Sequence, residues 1–449
     1  MVKPPDAALV RGLRRWDLVA LVINSVIGAG IFGVPSRVFA LAGTYSVAAY
    51  VAAAVAIVFV ILCFAEVGSR FSTTGGPYLY ARATFGPLIG FQVGWLLWLG
   101  RVAAFASAVN LFVGYVGYVF PAVGGAGWRV AVSACLISVL AGANIRGVRL
   151  TAAVTNVLTV GKLIPLFLLS VVGLHFVDSA RYSLASPPSY ASFSQAALIL
   201  VFTYMGFEGA SIPAGEMRDP RHHLPFALLI GIGTVTLLYI SVQIVCIGTV
   251  PDLTHSERPL ADASVHFLGA PGASLIAAGA LVSIVGVLNA LMFATPRLLF
   301  AMSENGQLPR ILSATHPRFR TPVAAVVLTA ATMFALALSS TFISALTISA
   351  VVRLIAYTST CAALPVLRRH RDLPQPSFVA PVGPVSAVMA IGLSVWLISN
   401  SPLSELRVAG VAVLLGFILY WAGRRSRATP GTAAALLEST DPTVRLASD

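Results

Sequence analysis

Charge is what this chain has least of. Lys, Arg, Asp and Glu make up 10% of its 449 residues, and the mean hydropathy is +0.88. That balance excludes an ordinary soluble enzyme. Cysteine is also scarce: Cys63, Cys135, Cys246 and Cys361 each stand in a separate apolar run. Their spacing offers neither a disulfide framework nor a metal site. No cleavable signal peptide is expected, because "MVKPPDAALVRGLRRWD" is basic and runs directly into an apolar segment. A dinucleotide site is excluded too, although Gly28, Gly30 and Gly33 spell G-x-G-x-x-G. No strand precedes them, and the region where a ribose-binding acid would stand reads "YVAAAVA". No catalytic constellation is recognisable, and no cofactor is implied.

What the chain does have is apolar runs of membrane length. Twelve are read, at 16–42, 45–68, 86–119, 127–143, 152–176, 193–214, 226–250, 262–302, 322–338, 341–366, 379–399 and 403–423. The third and eighth exceed what a bilayer needs, so they are expected to tilt or extend beyond it. The expected fold class is an all-α polytopic membrane protein of 12 transmembrane helices. A net charge of +13 invites a nucleic-acid reading, but the charge follows the short loops. On the side shared by both termini fall 21 of the 29 Lys and Arg residues, against 4 on the other side. By the positive-inside rule both termini are expected in the cytoplasm, with the protein in the cell (inner or plasma) membrane. The residues from 424 to 449 are rich in Pro, Gly, Ser and Thr and read as a mobile cytoplasmic tail, with no soluble output domain attached.

Two runs are interrupted near half depth. From Asp17 to Ile27 is eleven residues, or roughly 16 Å of helix. That is about half of a hydrocarbon core of about 30 Å. The glycines follow, and "IFGVPSRVFALAG" resumes beyond them. In the sixth run about eleven apolar or small residues lead to Tyr204, after which come Gly206, Glu208, Gly209 and Pro213. Five runs follow the same rhythm from each interruption. An odd-numbered unit repeated in tandem takes opposite orientations, the arrangement of an inverted-repeat transporter. The expected division is 1–15 as a cytoplasmic segment, 16–176 and 193–366 as the two repeats, 379–423 as two peripheral spans, and 424–449 as the tail.

Unwound backbone in lipid needs a cavity or protein to face. The freed N–H groups at Ala29, Gly30 and Ile31 open a second half-helix, whose dipole suits a carboxylate, so that Ile27, Gly28, Ala29, Gly30 and Ile31 are the candidate substrate-binding residues there. Freed carbonyls at Phe202, Thr203 and Tyr204 suit an ammonium group. Together they describe a site for a free α-amino acid, against the plainer reading of small residues packing helices together.

At this point the chain resembles the amino acid–polyamine–organocation (APC) permeases. The resemblance runs to about residue 423. It rests on "GAGIF", "FAEVGSRFSTTGGPYLYARATFGPLIGFQVGW", "YMGFEGASIPAGEMRDPRHHLP" and "RLLFAMSENGQLP". It implies a five-plus-five inverted-repeat core with two peripheral helices, and an aromatic gate, Phe207, over the substrate. The last motif departs from the usual "ARDG", reading Ser303-Glu304-Asn305-Gly306 in a cytoplasmic turn.

Ionisable residues inside spans are functional candidates by default. Lys162 lies about half-way into the fifth run, in "TNVLTVGKLIPLFLL". In sodium-coupled relatives of this fold a cation lies between spans one, five and eight. The Lys162 ammonium would take that place, and "VGKLIPL" resembles proton-coupled APC members. Lys162 is therefore expected to carry the coupled proton, against a lysine that snorkels or is paired for stability. Arg101, deep in the third run, pairs with Glu208 or reads an acidic substrate directly. Glu208 titrates in the cycle or is structural. Glu66 is expected to brace the bundle, Arg37 is a candidate for the outer vestibule, and Arg353 has no assignment.

The expected function is proton symport of amino acids by alternating access. An exchanger of the same fold is the alternative, and a membrane amino acid sensor the alternative outside transport. Neutral amino acids lead, with cationic ones open through Glu208 and anionic ones through Arg101. The partners are the amino acid, protons and the lipid bilayer, with no nucleic acid and no metal. The oligomeric state is not legible.

Overall fold

The computed structural model describes residues 9–28, 30–119, 126–183, 186–339, 342–369, 375–400 and 403–425. Among them the secondary structure is helical apart from one isolated bridge, Leu13 to Met217. In chain order the helices are α1 (Arg15–Val26), α2 (Val34–Ala42), α3 (Ser46–Gly68), α4 (Pro77–Phe85), α5 (Pro87–Val119), α6 (Ala126–Ile145) and α7 (Val148–Gly173). They continue with α8 (Tyr190–Thr203), α9 (Pro220–Thr249), α10 (Pro259–Glu304), α11 (Val323–Ser339), α12 (Phe342–Arg369), α13 (Gly383–Ser399) and α14 (Leu403–Arg425). Eight stretches of the described residues are long and apolar enough to cross a membrane, and α11 and α13 are shorter apolar helices. This is a polytopic membrane protein.

The surface of α7 shows which solvent the fold expects. Val157, Val160, Ile164, Phe167 and Val171 are exposed, at helical spacings of three and four, while Thr155, Thr159 and Lys162 on the other face are buried. An apolar stripe outside and a polar one inside is stable only where the surroundings are lipid. The excess length of the eighth apolar run has a local cause. Gly269 (φ 64°, ψ −159°) breaks the helical path of α10 just before Pro271, so its first ten residues or so form a separate arm.

The helices that carry the interruptions are clasped by the long ones. α1 packs on α9, α7 and α10, α10 lies along α7 and α5, and α12 lies along α5. At the end of the bundle that carries the start of α1, buried ion pairs lock elements together. The Arg297 guanidinium of α10 grips Glu216 with two bonds of 3.0 and 3.1 Å, and its third nitrogen reaches Asn144 of α6 at 3.3 Å. It also lies 4.1 Å from the centre of the Phe293 ring. The Glu216 backbone in turn accepts from the Leu13 N–H at 3.0 Å, and Arg218 donates to the Leu13 carbonyl at 3.0 Å. Nearby Glu66 accepts from Arg368 at 2.7 Å and from the Ala380 N–H at 2.8 Å, with Arg70 at 3.8 Å.

Removing one partner of such a pair leaves a buried charge uncompensated, at about 3–5 kcal/mol. Arg297→Met is therefore expected to lower the melting temperature of the detergent-purified protein markedly. The double variant Arg297→Met with Glu216→Gln should recover part of the loss. A single variant melting like wild type would contradict the role given to this pair.

Candidate functional site

The first and sixth apolar runs each come apart. α1 stops at Val26, Ile27 is extended, and a single 3₁₀ turn spans Gly30–Phe32 before α2 begins at Val34. Ala29 lies outside the described residues. The sequence reading starts the second half-helix at Ala29 to Ile31, but the α-helix starts three residues later. Pro35 stands in the first turn of α2, a position proline favours because its missing N–H is unpaired there in any case. α8 stops at Thr203, and after it the chain continues as 3₁₀ turns over Phe207–Ser211 and Ala214–Glu216.

The two interruptions touch. Gly206 has φ +123°, and a Cβ there would run into the Ser25 carbonyl oxygen. Glycine is required at that point by both conformation and contact. The G-x-G-x-x-G motif behaves differently. Neither Gly28 nor Gly33 has a positive φ. A Cβ at Gly33 would meet nothing within 4 Å, and one at Gly28 would meet only Val287, at 3.4 Å.

The carbonyls freed at the end of α1 are met by side chains from three other helices. Lys162 of α7, fully buried, donates to the Ile27 oxygen at 2.7 Å and lies 3.3 Å from the Ser283 oxygen of α10. The Ser283 hydroxyl lies 3.0 Å from the same Ile27 oxygen and 3.2 Å from that of Gly28. The Tyr239 hydroxyl of α9 stands between Val26 O at 3.4 Å and Thr203 O at 3.5 Å, and so faces both interruptions. Gly286 makes room for the amine: a Cβ there would lie 3.0 Å from Lys162 Nζ. One helical turn away, Asn24 donates to the Thr155 carbonyl at 2.8 Å and to the Thr159 hydroxyl, while Asn289 reaches the Thr155 hydroxyl at 2.9 Å. These bonds join α1, α7 and α10 into one polar seam.

On the α8 side, Phe202 O accepts from Met205 N at 3.2 Å, so part of its capacity is spent in the turn itself. Tyr204 is buried against Tyr239, with ring centres 5.2 Å apart. Phe207 is buried as well, 5.2 Å from both Phe64 and Tyr357.

Beside Phe207, Glu208 gathers a second cluster. Arg101 Nη1 donates to its Oε1 at 3.0 Å, and Arg353 Nε stands 3.7 Å from the same oxygen. The Tyr357 hydroxyl and the Gly206 N–H donate to Oε2 at 2.7 and 3.0 Å. Arg101 also reaches the Thr295 hydroxyl at 3.3 Å. The Arg101–Glu208 pairing left open by the sequence is formed, and Arg353 acquires a neighbour. Glu66 sits in the brace described above, away from this cluster, and Arg37 is exposed. The sequence reading missed Tyr239 and Tyr357. The only signal for Tyr357 is its position four residues after Arg353, on the same helical face.

A sequence model of the family described as "Amino acid permease" matches residues 13–422. The methylthioribose transporter of Bacillus subtilis (strain 168) is 29% identical, over 88% of this chain and 89% of its own. The serine/threonine exchanger SteT of the same organism is 28% identical, over 92% and 95%. The arginine/ornithine antiporter of Pseudomonas aeruginosa is 31% identical, over 67% and 65%.

The glycine geometry makes a differential prediction. Gly206→Ala, strained and in collision with backbone, should cut transport by roughly tenfold or more. Gly33→Ala, which meets nothing, should stay within about twofold of wild type. Equal effects, measured as uptake per folded protein, would contradict this account of the α8 interruption.

Proposed function

The chain belongs to the amino acid permease family, and from that premise we propose that it is a proton-coupled symporter moving α-amino acids across the cell membrane by alternating access. The observation that carries the coupling is the Lys162 ammonium against the Ile27 carbonyl at the opened end of α1. In this reading both termini are cytoplasmic, and two inverted five-span units, 16–176 and 193–366, enclose the site. The substrate carboxylate lies at the interruption between α1 and α2, from Ile27 to Ile31, and its ammonium lies at the carbonyls of Phe202, Thr203 and Tyr204. Phe207 closes over it.

The role of the proton follows from what Lys162 holds. A charged amine binds a carbonyl roughly twice as strongly as a neutral one. Protonated, Lys162 ties α7 to the interruption of α1 and to α10 at Ser283. Deprotonated, it weakens that tie and lets α1 move relative to α7 and α10. Substrate entry and proton entry on one side, and release of both on the other, then belong to one rearrangement. Exchange is the second reading, favoured by the names of two relatives, one an exchanger and one an antiporter. A titratable amine in the polar seam favours symport, because it gives each cycle a proton to carry.

The test is uptake of labelled amino acids into proteoliposomes with and without an inward proton gradient. Lys162→Met is expected to abolish gradient-driven accumulation, and replacing sodium by choline is expected to leave wild-type uptake unchanged. Accumulation by the mutant equal to wild type would rule out the coupling proposal.

A further inference from the structure

The cluster around Glu208 is unbalanced. Two guanidinium groups, Arg101 and Arg353, face one carboxylate, with side-chain exposures of 1%, 12% and 0%. The other buried glutamates among the described residues are engaged elsewhere, Glu66 with Arg368 and Arg70, and Glu216 with Arg297. Glu208 itself has little left to offer. Its Oε1 serves both arginines, and its Oε2 accepts from Tyr357 and from the Gly206 N–H. A cationic substrate side chain would meet an occupied carboxylate and an excess of positive charge.

The guanidinium groups, by contrast, are not exhausted. Arg101 Nη2 is buried without a hydrogen-bond partner, and so is Arg353 Nε, held at 3.7 Å from Glu208 by charge alone. Buried donors of this kind are rare, and an uncompensated guanidinium inside a bilayer is costly. A planar fork of donors is the preferred partner of a carboxylate. The cluster borders the interruption of α8, because Glu208 caps the Gly206 N–H and Gly206 abuts Ser25 of α1. The carboxylate that gathers both arginines is thus bonded to the same backbone that forms the α8 interruption.

We propose that the substrate is an amino acid with an acidic side chain, whose second carboxylate is received by Arg101 and Arg353. The inference rests on the amino acid transport reading and narrows its substrate class, against the sequence expectation that neutral amino acids lead. Glu208 then acts as a positioning residue, holding both arginines in place without neutralising them. The proton on Lys162 adds a further cation to the loaded site, so an extra negative charge on the substrate brings the whole closer to neutrality.

The experiment uses the purified full chain in proteoliposomes and measures competition by L-glutamate, L-aspartate, L-glutamine and L-asparagine. One acid is expected to compete at least about tenfold better than its own amide, since the amide leaves the guanidinium donors unpaired. Arg353→Met should bring that ratio close to one, and Arg353→Lys should keep part of it. Thermal stabilisation of the detergent-purified protein by L-glutamate, present in wild type and lost in Arg353→Met, gives a readout independent of transport. If Arg353→Met does not fold, the wild-type ratio and Arg353→Lys decide. Amides competing as well as acids would overturn the inference, as would a preference for acids that survives in Arg353→Met. Transport of neutral amino acids with no competition by acids would overturn this inference alone. Transport of no amino acid would overturn the reading beneath it as well.

Discussion

A helix opened inside a bilayer has no water to bond to, so each carbonyl it frees must find a donor within the protein. In this molecule the donors at the end of α1 come from three separate helices: Lys162 on α7, Ser283 on α10 and Tyr239 on α9. The interruption therefore fastens four helices, and its geometry depends on all of them. It also explains why so many polar residues line one seam of an otherwise apolar bundle. Asn24, Thr155, Thr159 and Asn289 are buried and bonded to one another across α1, α7 and α10. A shift of α1 has to exchange these bonds as a set, which favours discrete arrangements over gradual ones.

The two ends of the bundle are closed by different means. Where the chain enters α1, closure is by charge, through Arg297 with Glu216 and Arg368 with Glu66. From Pro220 to Gln243, α9 travels about 35 Å. At that far end Gln243 donates to the Ser46 hydroxyl at 2.8 Å and Tyr182 to the Ile244 carbonyl at 2.6 Å, both neutral bonds between elements, while the charged contacts Arg181–Asp178 and His255–Asp252 are local and solvent-facing. Buried ion pairs are specific in geometry and expensive to break singly, whereas neutral side-chain bonds within membranes contribute modestly. In this conformation the end near the start of α1 is the more firmly fastened.

Much of this was legible in the residues because it follows from chemistry that lipid forbids. Apolar length gave the polytopic membrane class, and eight stretches of the described residues are long and apolar enough to span. Gly206 and Pro213 in the sixth run marked a helix that could not continue, and a lysine at half depth stood out against its surroundings. What stayed hidden was pairing between distant parts of the chain. Ser283 reads as a minor polar residue within a long apolar run until Ile27 is placed beside it. Arg353 has no visible purpose in sequence, because its neighbour Glu208 lies far away in the chain, in the 3₁₀ turn after α8. The glycine motif also misdirects emphasis: the residue under real constraint is Gly206, not Gly33, and only the backbone angles reveal it. The start of α2 was misplaced because a 3₁₀ turn and an α-helix share the same apolar pattern over three residues.

The two buried cationic sites differ in a way that suits them to different tasks. Among the described residues Lys162 bonds to neutral carbonyls alone, those of Ile27 and Ser283. When its proton leaves, no buried counter-charge is stranded, and the carbonyl of Ile27 still has the Ser283 hydroxyl. Arg101 and Arg353 are bound to a carboxylate, so neither can lose its partner without leaving an orphaned charge behind. The proposed coupling therefore asks a proton to come and go only at the site without a bound counter-charge. In the proposed reading the fixed site would select the substrate and the mobile one would couple it to a gradient; both border the interruptions, since Gly206, bonded to Glu208, lies against Ser25 of α1.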